Sequence, residues 1–228
     1  MHAAMKTTLV SLIVLSLTSS CLSSVINVPA DQPTIQAGIN IAMNGDTVFV
    51  APGTYLENVN FNGKAITVVS SNGPKSTVIN GNATGPCAIF SSGESTKSVL
   101  KGFTLTNGAG SGVAVSYSSP SITKNIITGN VASFGGGVDS NFGSPVITRN
   151  IIEKNKASTG GGIYVGGASA PGATITHNVI KSNLAYEFGG GVTFFAAGTA
   201  YVEDNTIAKN SCSQCQGGAF TWWVKVTK

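Results

Sequence analysis

Four polar residues occupy matching positions in four similar segments, and they are the strongest candidates for chemistry in the sequence. They are Lys124, Arg149, His177 and Asp204, and each directly precedes an asparagine. If successive segments stack about 5 Å apart, neighbours in this series could combine a base, a cation and a carboxylate for acid–base catalysis. The simpler interpretation is a solvated face, on which His177 and Asp204 form only a surface ion pair. We therefore assign no catalytic residue and keep His177, Asp204 and Arg149 as candidates.

A second series follows the glycine clusters of the same segments. It contains Asp139 and Tyr164, and we expect it to point outward beside the bare glycines, which would form a shallow groove. Tyr164 offers an aromatic ring on which a sugar could stack. Asp139 and Tyr164 are therefore the predicted glycan-binding residues. The alternative is that the glycines merely permit a crowded turn.

Metal binding and carboxylate chemistry have little support in the sequence. The nine acidic residues scatter over the segments, and no two from adjacent segments share a position. Cys212 and Cys215 have the spacing of half a zinc site, but no second such pair and no nearby histidine completes it. We predict no metal site. A local disulfide and two free thiols both remain open for this pair.

The segments that carry these residues form an internal repeat. Each has an asparagine followed five positions later by a second one, and then a cluster of glycines. Successive first asparagines are 25, 28 and 27 residues apart, and a period in this range is typical of a solenoid. The two asparagine columns are Asn125, Asn150, Asn178 and Asn205, then Asn130, Asn155, Asn183 and Asn210.

Alternation of apolar and polar residues predicts that each coil is made of strands. We expect an all-β, right-handed parallel β-helix of roughly eight coils with three short strands in each. Three inward columns follow from the alternation: Leu100, Ile122, Ile147, Ile175 and Val202; Leu105, Ile127, Ile152, Ile180 and Ile207; and Val113, Val138, Ile163, Val192 and Phe220.

The asparagine columns are predicted to be structural. Asparagine tolerates the left-handed backbone of a tight bend, and its amide can bond the same amide on the next coil. Before the repeats, residues 33–43 have apolar residues at helical spacing, with Asp31 as a candidate N-cap. We expect a short helix there that covers the first coil.

The N-terminal residues 1–24 read as a signal peptide, followed by one β-helix domain over residues 25–228. The apolar stretch Leu9–Leu17 is too short to span a bilayer, which needs about 20 residues. We expect a secreted, periplasmic or cell-surface protein that does not span the membrane. Cys21 is either a lipoprotein attachment site or a leader cysteine that is discarded. Only 10% of residues are charged and no basic run occurs, so nucleic acid is not an expected partner.

The early segments resemble a known superfamily. Thr34–Asn40, Val50–Phe61 and Ser76–Asn82 look like the opening coils of pectin-lyase-like right-handed β-helices, and the later repeats resemble those of polymorphic outer-membrane adhesins. The resemblance implies the β-helix fold, but that fold hosts both enzymes and scaffolds.

From the scarcity of carboxylates we expect a non-catalytic secreted or surface scaffold that either binds a polysaccharide or cell-surface glycan or has an adhesive role. The alternative is a polysaccharide lyase or glycoside hydrolase. No cofactor is expected for the scaffold, and calcium only for a lyase. Because the chain stops part-way round a coil, we also expect a truncated or uncapped C-terminal edge, or a partner that covers it.

Overall fold

The structure is a computed structural model that describes residues 23–167, 172–195, 199–214, 220–221 and 226–227. The predicted signal peptide, apart from residues 23 and 24, lies outside the described residues, as do Cys21 and Cys215. The described chain is a parallel β-solenoid of about seven turns, nearly all strand, with one short helix. The predicted all-β solenoid with an N-terminal helix is thereby confirmed.

The strands stack into four parallel sheets. Sheet 1 contains Val25–Val28, Thr47–Val50, Thr67–Ser70, Val99–Lys101, Ser121–Thr123, Val146–Thr148, Thr174–Thr176, Ala200–Glu203 and Val226–Thr227. Sheet 2 contains Gly53–Leu56, Thr77–Asn80, Thr104–Thr106, Ile126–Thr128, Ile151–Glu153, Val179–Lys181 and Thr206–Ala208. Sheet 3 contains Val59–Asn60, Ala88–Phe90, Val113–Ser116, Val138–Asn141, Ile163–Gly166, Val192–Phe195 and Phe220–Thr221. Sheet 4 contains Val131–Phe134, Lys156–Thr159, Leu184–Phe188 and Ser211–Cys212.

The core runs along the inside of the stack, and its columns are those predicted from alternation. In sheet 1, Leu100, Ile122 and Ile147 pair in register on successive coils, and all three are fully buried. The column of sheet 2 and the column of sheet 3 keep the predicted registers as well. Val202 and Ile207 are only partly buried. Each coil therefore buries its apolar face against its neighbours.

Sheet 4 was not predicted, so the expectation of three strands in every coil is wrong for the later coils. Its strands lie between sheet 2 and the glycine clusters. Val131–Phe134 does not alternate, because Val131 and Phe134 are both exposed and neither intervening residue is buried. Without a buried face on this strand, hydrophobic periodicity cannot reveal it.

Helix α1 (Ile35–Ile41) covers the first coil through Ile35, Gly38 and Ile39. Its N-cap is Thr34, whose hydroxyl accepts a hydrogen bond from the Ala37 amide at 3.1 Å. The predicted N-cap Asp31 is wrong, since its carboxylate instead accepts from the backbone and side chain of Asn27. A threonine three residues later in the chain meets the same requirement for a short oxygen acceptor.

Both asparagine columns form continuous hydrogen-bonded ladders. Asn150 Oδ1 accepts from the backbone and the side-chain amide of Asn125, at 3.0 and 3.2 Å. Asn150 Nδ2 donates to the Ile122 carbonyl and to Asn178 Oδ1, at 2.8 and 3.1 Å. The same pattern links Asn130, Asn155, Asn183 and Asn210. The asparagine side chains thus provide hydrogen-bond partners for the backbone N–H and C=O groups at each corner.

The expectation that the asparagines themselves are left-handed is wrong. The left-handed residue is the one before each asparagine: φ is 57° at Lys124, Arg149 and His177, and 52° at Asp204. This division has a physical reason. The left-handed residue turns its side chain into solvent, while the asparagine that follows turns inward, where its amide meets the backbone.

Candidate functional site

The candidate site is a cleft on the outside of the solenoid, where sheet 4 approaches the outward face of sheet 3. The glycine clusters create it. Gly135, Gly160 and Gly189 have φ of 55°, 69° and 54°, and a Cβ on Gly135 would clash with the Val138 carbonyl oxygen. Only glycine allows so sharp a reversal. The chain therefore folds the end of each sheet 4 strand over the strand that follows.

Aromatic rings line this cleft, which has a volume of about 390 Å³. Phe134 and Phe188 come from sheet 4, and Phe195 from sheet 3. All three are about half exposed. Tyr164 lies beneath them, with its ring centroid 4.9 Å from that of Phe134 at an interplanar angle of 46°. The cleft therefore offers apolar ring surfaces that are open to solvent.

Polar groups lie at the edges of the rings. The remaining lining residues are Thr159, Glu187 and Thr193. Glu187 is exposed, whereas Thr159 and Thr193 are buried and face the floor. Hydroxyl and carboxylate groups can exchange hydrogen bonds with a polyhydroxylated ligand whose apolar faces rest on the rings. The lining thus combines the two kinds of contact that a sugar requires.

Asp139 lies one coil from Tyr164, in register with it on sheet 3. Asn141 donates a hydrogen bond to Asp139 Oδ1 at 2.7 Å. Burial raises the pKa of Asp139 to about 7, although the bond from Asn141 opposes the change. Burial, and then the charge of Asp139, raise the pKa of the Tyr164 phenol. Asp139 is therefore a partly buried carboxyl group beside Tyr164 whose surroundings favour the neutral form, although it does not itself line the cleft.

The structure brings the predicted glycan-binding residues Asp139 and Tyr164 together, but not as an open surface. Only 7% of Tyr164 is exposed, because Phe134 covers its ring and because Gly166 leaves room for the ring to lie along the strand. The expectation that Tyr164 offers a free face is therefore wrong. The open rings belong to Phe134, Phe188 and Phe195.

Sequence reasoning missed these three phenylalanines, although a signal was present for two of them. Phe134 directly precedes Gly135, and Phe188 directly precedes Gly189. An aromatic residue at the same position before two glycine clusters indicates a shared role. Phe195 has no comparable signal, because its neighbour in register is Gly166.

The first candidate series lies elsewhere, at the corner between sheets 1 and 2. His177 Nε2 is 3.4 Å from Asp204 Oδ2, and both side chains are about half exposed. An exposed pair of this kind contributes under about 1 kcal/mol. Arg149 is not part of it and forms no ion pair within the described ranges. The three residues therefore do not form one catalytic group.

The two cysteines of the described ranges, Cys87 and Cys212, are not part of the cleft. Cys87 is a buried free thiol, and burial raises its pKa to about 11. Its Sγ contacts the Thr106 carbonyl at 3.2 Å. Cys212 is disulfide-bonded, to a residue outside the described part of the chain. Cys87 is therefore suited to packing rather than to nucleophilic chemistry.

The described residues contain neither a metal-binding cluster nor a membrane-spanning helix. No group of three or more His, Cys, Asp or Glu residues is placed to hold a metal ion in the described part of the chain. No helix among the described residues is long and apolar enough to cross a membrane.

Residues 35–207, well over half of the chain, match the family described as the right-handed β-helix region. The chain belongs to the right-handed β-helix family. The matched residues contain the cleft, the first ladder, the second ladder except Asn210, and most of the core, so the resemblance inferred from the opening coils is confirmed for the fold. No curated protein and no solved structure matches the chain significantly.

Proposed function

We propose that this β-helix protein is a non-catalytic scaffold, secreted or on the cell surface, that binds a glycan in the aromatic cleft. The observation that carries the proposal is the set of half-exposed rings Phe134, Phe188 and Phe195 around one cleft of about 390 Å³. This volume is within the range of small-ligand sites. Exposed rings gathered in a concave site are expected to have a partner.

A sugar fits the cleft better than a purely apolar ligand does. Glu187 and the hydroxyl groups of Thr159 and Thr193 border the same space as the rings. The Thr193 hydroxyl already donates to the Phe188 carbonyl at 3.3 Å. An apolar ligand would, however, displace water from Glu187 and Thr159 without replacing its hydrogen bonds, which is unfavourable. A pyranose presents an apolar face to the rings and hydroxyl groups to the polar side chains.

The test is glycan binding by the variant Phe188→Ala. Phe188 is 51% exposed, so the substitution should leave the fold intact. Binding of a glycan selected on an array should weaken about two- to tenfold in calorimetry, because one aromatic contact contributes about 0.5–1.5 kcal/mol. The matched control is Tyr117→Ala, an exposed ring that stacks on Phe142 away from the cleft. Equal weakening in both variants would contradict the proposal.

A second candidate function is polysaccharide cleavage by a lyase or hydrolase, and one observation favours it. The pKa of Asp139, about 7, suits a group that exchanges protons near neutral pH. The assay is incubation with acidic and neutral polysaccharides, with and without calcium, followed by detection of unsaturated products and new reducing ends. Turnover that is lost in Asp139→Asn would replace the scaffold proposal with the enzymatic one.

Export is part of the proposal and rests on the apolar N-terminal segment. Its test is the N-terminal sequence of the protein recovered from culture medium and cell fractions. Cleavage near residue 24 supports a signal peptide. Recovery of a lipid-modified protein in the membrane fraction, lost in Cys21→Ser, supports lipoprotein attachment. Retention of an uncleaved N terminus in the cytoplasm would contradict export.

A further inference from the structure

A second groove lies at the corner between sheets 1 and 2, far along the coil from the aromatic cleft. Most of these corners consist of two residues, but residues 71–76 form a longer loop between Thr67–Ser70 and Thr77–Asn80. The loop and the following corners enclose a pocket of about 380 Å³. Gly102 occupies the corner between them, directly beneath the loop, where an added Cβ would lie 3.6 Å from the Ser70 Cβ and 3.8 Å from the Gly73 Cα.

The groove is lined by cations on both sides. Lys75 stands on the loop, while Lys124 and Arg149 stand on two successive corners. Successive coils are about 4.8 Å apart, so Lys124 and Arg149 are like charges at close range. No carboxylate lines the groove, and none of the three cations has an ion-pair partner within the described residues. The groove therefore concentrates positive charge without an internal counterion.

The arrangement is maintained by the backbone rather than by chance rotamers. Lys124 and Arg149 both have φ of 57°, which turns their side chains outward at the same corner. Asn125 holds each corner in place through the ladder. Pro74 and Ile126 add apolar surface to the lining, while Lys75, Lys124 and Arg149 are all exposed and free to reach a ligand from solvent. An anion in this groove would meet positive groups from two sides.

We propose that this groove binds an ester oxyanion, the sulfate or phosphate group of an anionic glycan. Such a group has three terminal oxygens directed away from its ester bond. Lys75, Lys124 and Arg149 approach from the loop and from two levels of the stack, so each oxygen can face a different cation. A planar carboxylate has only two oxygens, both in one plane, so it cannot direct a separate oxygen at each of the three cations. Single-stranded nucleic acid is less suitable, because the lining contains no aromatic ring for base stacking.

The test compares two double variants that remove the same charge from the same kind of corner. Lys124→Ala/Arg149→Ala empties the groove of two cations. Lys154→Ala/Lys209→Ala removes two exposed lysines, also left-handed with φ of 57° and 55°, from the corner between sheets 2 and 4. Circular dichroism verifies that both variants are folded. Binding is measured by calorimetry with dextran sulfate, a phosphorylated mannan, polygalacturonate and neutral dextran.

We expect the wild type to bind dextran sulfate or the phosphomannan, and to bind polygalacturonate and neutral dextran more weakly. The affinity of Lys124→Ala/Arg149→Ala for these probes should fall roughly three- to tenfold. The affinity of the control, Lys154→Ala/Lys209→Ala, should change less than about twofold. The affinity of the wild type should fall as sodium chloride rises from about 50 to 300 mM. The two ester-bearing probes distinguish sulfate from phosphate.

Three outcomes would overturn the proposal. One is an equal loss of affinity in both double variants, which would show that binding depends only on the net charge of the surface. A second is preference for polygalacturonate, and a third is tighter binding of a single-stranded oligonucleotide than of either ester. The inference does not depend on the aromatic cleft, because Phe188→Ala should leave binding of the ester probes unchanged.

Discussion

Asp139 has a carboxyl group in surroundings that favour its neutral form, and this has a consequence for stability. An aspartate in an unfolded chain has a pKa near 3.9, whereas burial raises that of Asp139 to about 7. Between about pH 4 and pH 7 the unfolded chain has lost this proton while the folded chain retains it. The contribution of Asp139 to stability is therefore present at low pH, is lost as pH rises toward 7, and is constant above that.

We expect Asp139→Asn to remove this dependence. Relative to the wild type, the variant should gain about 1–3 kcal/mol between pH 5 and pH 8, less than full burial would give because the carboxyl keeps some contact with water. The oxygen of the introduced amide can still accept the bond from Asn141. The measurement is urea unfolding at several pH values, with the two curves subtracted so that other titrating groups cancel. A difference that is constant with pH would show that Asp139 ionises normally.

Two buried serines are expected to respond oppositely to the loss of their hydroxyl groups. Ser140 lies in the inward column between Val115 and Val165, and its Oγ finds no hydrogen-bond partner among the described residues. Ser118 donates to Glu94 Oε2 at 2.8 Å, inside a buried network. Ser140→Ala should be neutral or stabilise by up to about 1 kcal/mol, and Ser118→Ala should destabilise by about 1–3 kcal/mol. Thermal unfolding measures both, and similar losses would be the contrary result.

At the scale of elements, the asparagine ladder is the feature with the clearest energetic role. Asn150→Leu keeps the size of the side chain but removes the acceptor used twice by Asn125 and the donor to the Ile122 carbonyl. We expect a loss of about 1–3 kcal/mol in the free energy of unfolding, because these groups stay buried without partners. The matched control is Asn205→Leu, at a partly exposed rung where water can replace the lost bonds. Equal losses at both positions would contradict the ladder's role.

Among the elements, the strands of the three core columns can be predicted from the sequence, whereas those of sheet 4 cannot. Period-two alternation was sufficient to predict the three core columns, because residues such as Ile122 and Ile127 are buried in strict alternation with more exposed neighbours. Sheet 4 escaped prediction because its inward column contains only small side chains, and of these only Ala157 and Ala185 are buried. The left-handed residue was placed one position too late, since Lys124 gives no conformational signal of its own.

The sequence predicts the residues that sheet 3 contributes near the candidate site, but not those that sheet 4 contributes, and the reason is geometric. Asp139 and Tyr164 belong to a regular strand, so their shared face follows from alternation. Phe134 reaches the same face only through the reversal at Gly135, and a sequence pattern does not contain the direction of such a turn. The sequence therefore predicts that Asp139 and Tyr164 share one outward face of sheet 3, but it does not predict the rings that form the walls of the cleft.

For the whole molecule, the helix matters because it covers the face of the first coil. Glu57 holds its start by accepting from the Ile35 and Gln36 amides, both at 2.9 Å. Lys64 holds its end by donating to the carbonyls of Ile39, Asn40 and Ala42, at 2.8, 2.6 and 2.9 Å. Both side chains belong to the coil that the helix covers. Helix and solenoid are therefore expected to unfold together.

We expect Lys64→Met to destabilise the protein by about 1.5–3 kcal/mol, because a charged donor with three acceptors is lost. Loosening of the helix would also uncover Val28 and Val48, so the variant should associate more at high concentration. Thermal unfolding and light scattering measure the two effects. The control is Lys97→Met, an exposed lysine, for which a change below about 0.5 kcal/mol is expected. If the two variants behave alike, the helix is not held by Lys64.

The ladder has a consequence for how such a chain can change in length. Every internal rung accepts from the coil on one side and donates to the coil on the other, so a copied rung fits between any two existing ones. Tandem duplication of residues 126–150 would lengthen the stack by about 4.8 Å and keep each side chain on its own face. Insertion of one residue in a strand would exchange core and surface. This architecture thus tolerates growth by whole repeats, which recombination between similar segments can produce. A duplicated protein that folds and keeps the melting temperature of the wild type would demonstrate this.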